Sequence, residues 1–286
     1  MGAGLTVFRS LWTNSNNLDA ALAECEIGLF DGIEGPVPSD AGERRDFAAK
    51  LQSAGIPFIA EIFTGGGYVP VESSMDRHLE DFQRKASEAL ACGPLFLTVL
   101  GGCDHWSLGQ SVDFLGLAID YADEVGVAAA FETHRGRPTR DPWATRDLIS
   151  RLPDLRLTCD FSHWCCVCER LVLDSEPEIL ALCAERARHV HARVGYAQGP
   201  QVPHPAAPEF APELAAHERW WDALWDARKA STPATMTPEF GPDGYLQAVP
   251  FTRAPAANLD EVNRWMAARQ RGRFLKRAAP IAASSA

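Results

Sequence analysis

The feature that most constrains this chain is an alternation that repeats eight times, a short apolar, β-branched or aromatic run followed by a longer stretch with helical patterning. The runs are Leu5–Trp12, Ile27–Ile33, Pro57–Phe63, Leu95–Leu100, Val127–Glu132, Leu155–Asp160, His189–Arg193 and Thr235–Glu239. Most are almost continuously apolar, as strands are when both faces are covered. Helical patterns fill the gaps. One spans Asp40–Ala54, with Asp40 and Glu43 early and Gly55 as its stop; others are Ser74–Ala91 and Ser111–Glu124, closed by Gly126. Eight such pairs with no break in composition predict an α/β chain folded as a single (β/α)8 TIM barrel over residues 1–275.

An open doubly wound sheet is the competitor, and it usually carries a glycine-rich turn after its first strand. Here the first run leads into Trp12-Thr13-Asn14-Ser15-Asn16 instead. Gly65-Gly66-Gly67 follows the third run without a Lys-Ser/Thr pair, so it is no phosphate-binding loop and reads as a flexible loop over a site. The segment from Val194 to Pro205, rich in proline and glycine, reads as a stiff, ordered excursion, and residues 276–286 as a disordered tail.

The formal net charge of -11 makes nucleic acid a poor partner, since an acidic chain attracts no phosphate backbone. No apolar run reaches the roughly 18 residues of a membrane span, and Met1 to Thr13 lacks the pattern of a signal peptide. Eight cysteines in so long and core-rich a chain suit free thiols in a reducing, cytoplasmic setting better than a disulfide scaffold. Cys165 and Cys168 have Cys-x-x-Cys spacing but no second pair to complete a zinc site, so they too read as buried thiols.

In a barrel of this kind, polar residues at the C-terminal ends of strands face the active site. Acidic residues and histidines gather there: Glu34, Glu61, Asp104 and His105, Glu132 and His134, Asp160 and His163, His191, and Glu239. Glu132, Asp160, His191 and Glu239 come from four consecutive strands, which lie about 4.8 Å apart. They can therefore converge on one divalent ion. Three carboxylates and an imidazole suit Mn2+, Mg2+ or Co2+ and tolerate Zn2+. Singly, each is an ordinary polar strand end; four in register on one face form a metal site.

His163 is either a partner behind the metal or a substrate ligand, with packing on Trp164 as the plain alternative. His189, two residues before His191, points to the same face one layer deeper, as a buried histidine beneath the metal. Arg193 either clamps a substrate oxygen or pairs with a nearby acid. In Glu132-Thr133-His134-Arg135-Gly136-Arg137, His134 and Arg135 are expected to reach the pocket with His105, and Arg137 to belong to a surface charge run. Trp12, Phe63 and Trp106 are candidates for an apolar wall, with core packing as the plain alternative. Trp220, Trp221 and Trp225, on the seventh helix, are either core or a subunit contact.

These residues resemble the xylose-isomerase-like TIM-barrel superfamily, which holds sugar isomerases and epimerases, inosose dehydratases and type IV AP endonucleases. In that group a Glu ends the fifth strand, Asp-x-x-His ends the sixth, a His occupies the seventh and a Glu ends the eighth. Glu132, Asp160-Phe161-Ser162-His163, His191 and Glu239 match over about residues 5 to 270. Three blocks, Glu132–Arg137, Cys159–Trp164 and His189–Tyr196, look like a subgroup labelled only sugar phosphate isomerase/epimerase, a label that follows the fold and names no substrate.

The resemblance implies a cytoplasmic isomerase or epimerase of a sugar, ketose or polyol, acting through a metal-stabilised enediolate. Mn2+ is the expected ion, Glu132 and Glu239 the acid–base pair, and Arg193 and His163 the holders of substrate oxygens. Dehydration is the runner-up; phosphodiester hydrolysis and a non-catalytic binding barrel stand further back. The endonucleases carry additional histidines, where the third strand here offers Glu61. Related barrels often form dimers or tetramers.

Overall fold

The computed structural model describes residues 4–229, 232–242 and 244–278. Eight parallel strands close into a barrel in chain order: β1 (Leu5–Ser10), β2 (Gly32–Pro36), β3 (Phe58–Phe63), β4 (Leu97–Leu100), β5 (Ala129–Glu132), β6 (Leu157–Cys159), β7 (Ala187–His191) and β8 (Ala234–Thr237). The seam is the pairing of β1 with β8, Leu5 beside Ala234 and Val7 beside Met236. Around it run α1 (Leu18–Glu26), α2 (Ala41–Ala54), α3 (Met75–Leu90), α4 (Leu108–Glu124), α5 (Pro142–Arg151), the short α6 (Ser162–Val167), α7 (Pro177–Arg186), α8 (Ala211–Ala227) and α9 (Leu259–Ala278). Among the described residues no helix is long and apolar enough to cross a membrane.

Local chemistry sets the helix ends. Asp40 accepts from the backbone N–H groups of Gly42 and Glu43, and Gly55 closes α2 at φ 65°, where a side chain would be strained. Helix α4 starts three residues before the patterned stretch, because Ser107 and Gln110 form a reciprocal capping box. The second strand lies later than its apolar run suggested: α1 continues to Glu26, the chain turns through Gly28, and Ile27 is left exposed. Glu34 therefore lies inside β2. The first run stops at Ser10, and Trp12–Asn14 forms a single 3-10 turn.

The main core fills the space between strands and helices. A separate cluster of Phe8, Ile59, Phe96 and Ala130 plugs the barrel itself, and the His189 ring packs on Phe8 and Phe96 above it. Side chains alternate along a strand. Two residues beyond Ile59, Ala130 and His189 stand Glu61, Glu132 and His191, the next layer up. On the even strands Thr98 of β4 contacts Thr158 of β6 inside the barrel, and two residues on are Leu100 and Asp160. The site thus rests on a packed floor.

Trp220 and Trp221 are fully buried and Trp225 nearly so, all on α8, so the subunit-contact alternative falls and the cluster is core. The Val194–Pro205 excursion is tied down: Tyr196 pairs with Gly199, Val202 donates to Val194, and the Gln201 side chain meets both backbone groups of Gly241. The last helix is fastened on both sides. Arg264 pairs with Glu24 on α1, while Arg269, Arg273 and Arg277 pair with Glu218, Asp222 and Asp226 on α8. Lys276 and Arg277, the first residues read as tail, continue α9; the rest of that stretch, residues 279–286, lies outside the described residues.

Candidate metal centre

Glu132 ends β5, Asp160 follows β6, His191 ends β7 and Glu239 stands two residues past β8. One ligand atom from each lies within 4.8 Å of the others. His191 is the hub. Its Nδ1 lies 3.5 Å from Glu132 Oε1 and 3.0 Å from Glu239 Oε2, while its Nε2 lies 3.1 Å from Glu34 Oε1. The same carboxylate of Glu34 takes His189 Nε2 at 3.1 Å and a hydrogen bond from the Thr237 hydroxyl. An imidazole whose Nε2–H is held by a carboxylate turns its Nδ1 lone pair outward, the usual arrangement behind a metal-bound histidine.

Burial controls the charges. It pushes Glu132 up to about 7, against the pull of His191. It also raises Asp160, which Arg193 partly offsets. For Glu239 the raising effect of burial is outweighed by His191 and Arg193, and the carboxyl is held below its ordinary value. His191 goes up: burial opposes its charge, but Glu239, Glu34 and Glu132 outweigh it. Three buried carboxylates around one imidazole repel one another and gain most from a cation.

Do the residues fit a divalent ion? Glu132 Oε2, His191 Nδ1 and Glu239 Oε2 are buried and make no well-aligned hydrogen bond among the described residues, although Nδ1 faces Glu239 Oε2 as an ion pair; all three belong to the converging set. Two further groups come equally close. In the trio Glu34, His189 and His191, the facing atoms already bond to one another. In the trio Glu132, His134 and His163, burial and the neighbouring arginines drive both histidines well below their usual values, surroundings that repel a cation. The set of four is the one that fits.

Arg193 lies beside this set, with NH2 on Asp160 Oδ2 and 3.3 Å from Glu239 Oε2, and its pKa is raised. It also donates to His163 Nε2 at 2.9 Å, so the His163 proton sits on Nδ1, which is buried and unbonded. The rings of His134 and His163 lie against each other, tilted by 48° with centroids 3.9 Å apart. Above them Tyr245, pushed up to about 12 by burial, receives Arg193 on its ring at 4.6 Å and Arg135 at 5.2 Å. A cavity of about 350 Å³ opens over the set, walled by Trp12, Phe63, Tyr68, Leu100 and Tyr245, with Glu61, Glu132, His134, Arg193 and Glu239 as its polar groups.

Three expectations need correction. His105 is largely exposed and turned toward Asp104, because the chain after β4 folds outward before α4. Arg137 is no surface charge. It is buried, and its guanidinium donates to the carbonyls of Thr64, Gly67, Tyr68 and Gly102. The Gly65–Gly67 loop is therefore clamped, and Tyr68 is carried to the cavity wall. Trp106 packs on His78 and Phe114 and not on the cavity. Glu34 and Glu61 were placed on the active face by the sequence but given no role, and Tyr68 and Tyr245 went unassigned. The two glutamates were findable from the two-residue period; the tyrosines lie in irregular loops and carry no such signal.

The family model described as xylose isomerase-like TIM barrel matches residues 20–201. No curated protein matches in sequence. Among solved structures, L-ribulose 3-epimerase superposes with a TM-score of 0.66 at 14% identity, covering 98% of both chains. The zinc-bound IolI protein gives 0.65 at 15% identity, over 95% of this chain and 98% of that one. Endonuclease IV from Thermus thermophilus gives 0.59 at 13%, over 96% and 99%. At such identities the likeness speaks for the fold.

Proposed function

The chain belongs to the xylose isomerase-like TIM barrel family, and on that premise we propose that it is a divalent-metal-dependent isomerase or epimerase of a sugar, ketose or related polyol. The observation that carries this is the convergence of Glu132, Asp160, His191 and Glu239, with three buried polar atoms among its members that make no well-aligned hydrogen bond. Mn2+ suits this mainly oxygen-donating set, which Mg2+, Co2+ and Zn2+ also fit. When bound, such an ion acts as a Lewis acid on adjacent substrate oxygens and stabilises the enediolate left by loss of a carbon-bound proton.

The protein's own residues supply the rest. Glu132 and Glu239 approach from β5 and from beyond β8, on strands that flank the set, and serve as the groups that remove and return the proton. Arg193, locked between Asp160 and Glu239, presents a fixed cation to a substrate oxygen. His134 lines the cavity on the same side, His163 and Arg135 stand behind it against His134 and Tyr245, and the aromatic wall excludes water. Two of the structural neighbours are sugar epimerases by name, L-ribulose 3-epimerase and D-psicose 3-epimerase, which supports a small-molecule substrate. Eight unpaired thiols support a reducing, cytoplasmic setting.

Metal analysis of the purified protein, with calorimetric Mn2+ binding to wild type, Glu132→Gln and Glu239→Gln, tests the centre. Stoichiometric binding weakened at least tenfold in both variants is expected. Deuterium uptake from solvent into a panel of ketoses and inososes then tests the chemistry. Wild type that holds no metal, or variants that bind it equally well, would sink the proposal.

A further inference from the structure

Arg188 is a half-buried cation without a counter-ion. In the pairing of β6 with β7, Leu157 lies beside Ala187 and Thr158 beside His189, so Arg188 is the extra residue of a β-bulge. A bulge re-aims the side chain it carries. Here the guanidinium comes to lie over the ring of Phe96, 4.8 Å from its centroid. A ring face attracts the charge but offers no lone pair to the N–H groups. The contrast with other arginines is plain: Arg9 and Arg193 each meet two carboxylates, and Arg137 meets four carbonyls. Among the described residues no ion pair or hydrogen bond reaches the Arg188 guanidinium, and its Nε is buried. Burial, with no acid to offset it, pulls its pKa below the ordinary value.

A second observation is what surrounds it. Arg188 stands in the wall of a cavity of about 290 Å³, between the starts of β7 and β8 and the end of α8. This is the N-terminal end of the barrel, and the metal set lies at the other end of the same strands. Two more residues of the wall carry a buried nitrogen without a partner, Arg228 through Nε and Trp225 through Nε1. Arg228 NH1 is fixed on the carbonyls of Lys229 and Thr232, which sets the direction of its fork. His189 also borders the cavity, but its ring nitrogens are taken by Thr235 and Glu34. No Asp or Glu is among the described residues of this wall. Three N–H donors without acceptors, two of them on cations, therefore surround one space.

From this geometry we propose a second binding site, for a phosphate group, at the N-terminal end of the barrel, with Arg188, Arg228 and Trp225 as its donors. Guanidinium forks match phosphate oxygens in pairs, and phosphate brings more oxygens and more charge than a carboxylate, enough for all three donors at once. The cavity falls just below the roughly 300–1,000 Å³ of sites for drug-sized ligands. The ligand is accordingly small, either inorganic phosphate or a phosphorylated compound of a few carbons. Both arginines are partly exposed, so a solute can reach them. Bound there, the anion joins the bulge of β7 to the turn after α8 and stabilises the fold by mass action. The site shares no residue with the metal centre and stands or falls apart from it.

The experiment titrates inorganic phosphate, glycerol phosphate and acetate into the purified full chain by calorimetry, in wild type, Arg188→Met, Arg188→Lys, Arg228→Met and Trp225→Phe. Wild type is expected to bind phosphate with a Kd of about 1 mM or lower. Either methionine variant should weaken it at least about tenfold, the loss expected for hydrogen bonds from a charged group. Arg188→Lys should recover only part of that loss, and Trp225→Phe should weaken binding a few-fold. Acetate should bind at least tenfold more weakly. Phosphate should also raise the Tm of wild type and not of the methionine variants; if Arg188→Met fails to fold, Arg228→Met decides. Glycerol phosphate bound more tightly than phosphate makes a phosphorylated compound the ligand, and the reverse makes it the free ion; both uphold the site. No phosphate binding by wild type at about 10 mM overturns it. So does acetate bound as tightly as phosphate, or a phosphate affinity unchanged in the arginine variants, which puts the ion elsewhere.

Discussion

Replacing Arg137 by methionine keeps most of the side-chain volume and removes a guanidinium that holds two loops. Its NH1 donates to Thr64 O at 3.0 Å and Gly102 O at 2.9 Å; its NH2 donates to Tyr68 O at 3.0 Å and also to Gly67 O. Hydrogen bonds from a charged group contribute roughly 1.5–3 kcal/mol each, and four at the low end amount to about 6 kcal/mol. Against this stands the cost of burying the cation, which pulls the Arg137 pKa down from 12.5 to about 10. That shift corresponds to about 3 kcal/mol. The difference predicts that Arg137→Met destabilises the fold by about 2–3 kcal/mol, with proteolytic nicking concentrated in residues 64–72. Urea unfolding and limited proteolysis measure the two effects. Lysine, with one ammonium for four carbonyls, should fall between wild type and methionine. A methionine variant as stable as wild type, with an uncut loop, would refute the clamp.

Three other outcomes are expected. Free Mn2+ at about a hundred times its Kd should add about 2.7 kcal/mol to unfolding by mass action, seen as a raised Tm that Glu239→Gln abolishes. Glu34→Gln should weaken Mn2+ about 10–100-fold in calorimetry, because it loosens the grip on His191 Nε2. His217 is buried, donates through Nδ1 to Glu213 O and is pushed by burial down to about 4. A depressed folded pKa means stability present above about 6.5 and lost as pH falls from there toward 4. Within that window wild type should lose up to about 1.4 kcal/mol per pH unit more than His217→Gln; parallel stability profiles would contradict it.

Much of the barrel was legible because buried parallel strands must be apolar and their ends must not be. Glu132, Asp160, His191 and Glu239 stood out as acids or a histidine at the ends of apolar runs, and the structure brings those four together. The second strand misled because Ile27 extends the apolar run, although Asn17, which caps α1, was there to place the helix before it. Arg137 was opaque for a different reason. Its partners are backbone carbonyls 35 to 73 residues away, and a carbonyl looks the same in every residue. Tyr245 reaches the cavity from an irregular segment after β8, where no period says which side chain turns inward.

The fastening of α9 has a consequence for how the molecule is assembled. Its partners on one side are Glu24 and Asp31, near the start of the chain, and on the other Glu218, Asp222 and Asp226. The last of the described helices is thus the clasp between the first turn of the ring and its final one. On the ribosome the preceding strands and helices emerge with that clasp still unmade, so the join between the two ends of the barrel is completed only after α9 has cleared the exit. Several of its pairs are partly exposed and therefore screened by salt. Ionic strength should then act first on this join, loosening the ring where β8 meets β1 before it reaches the strands on the opposite side.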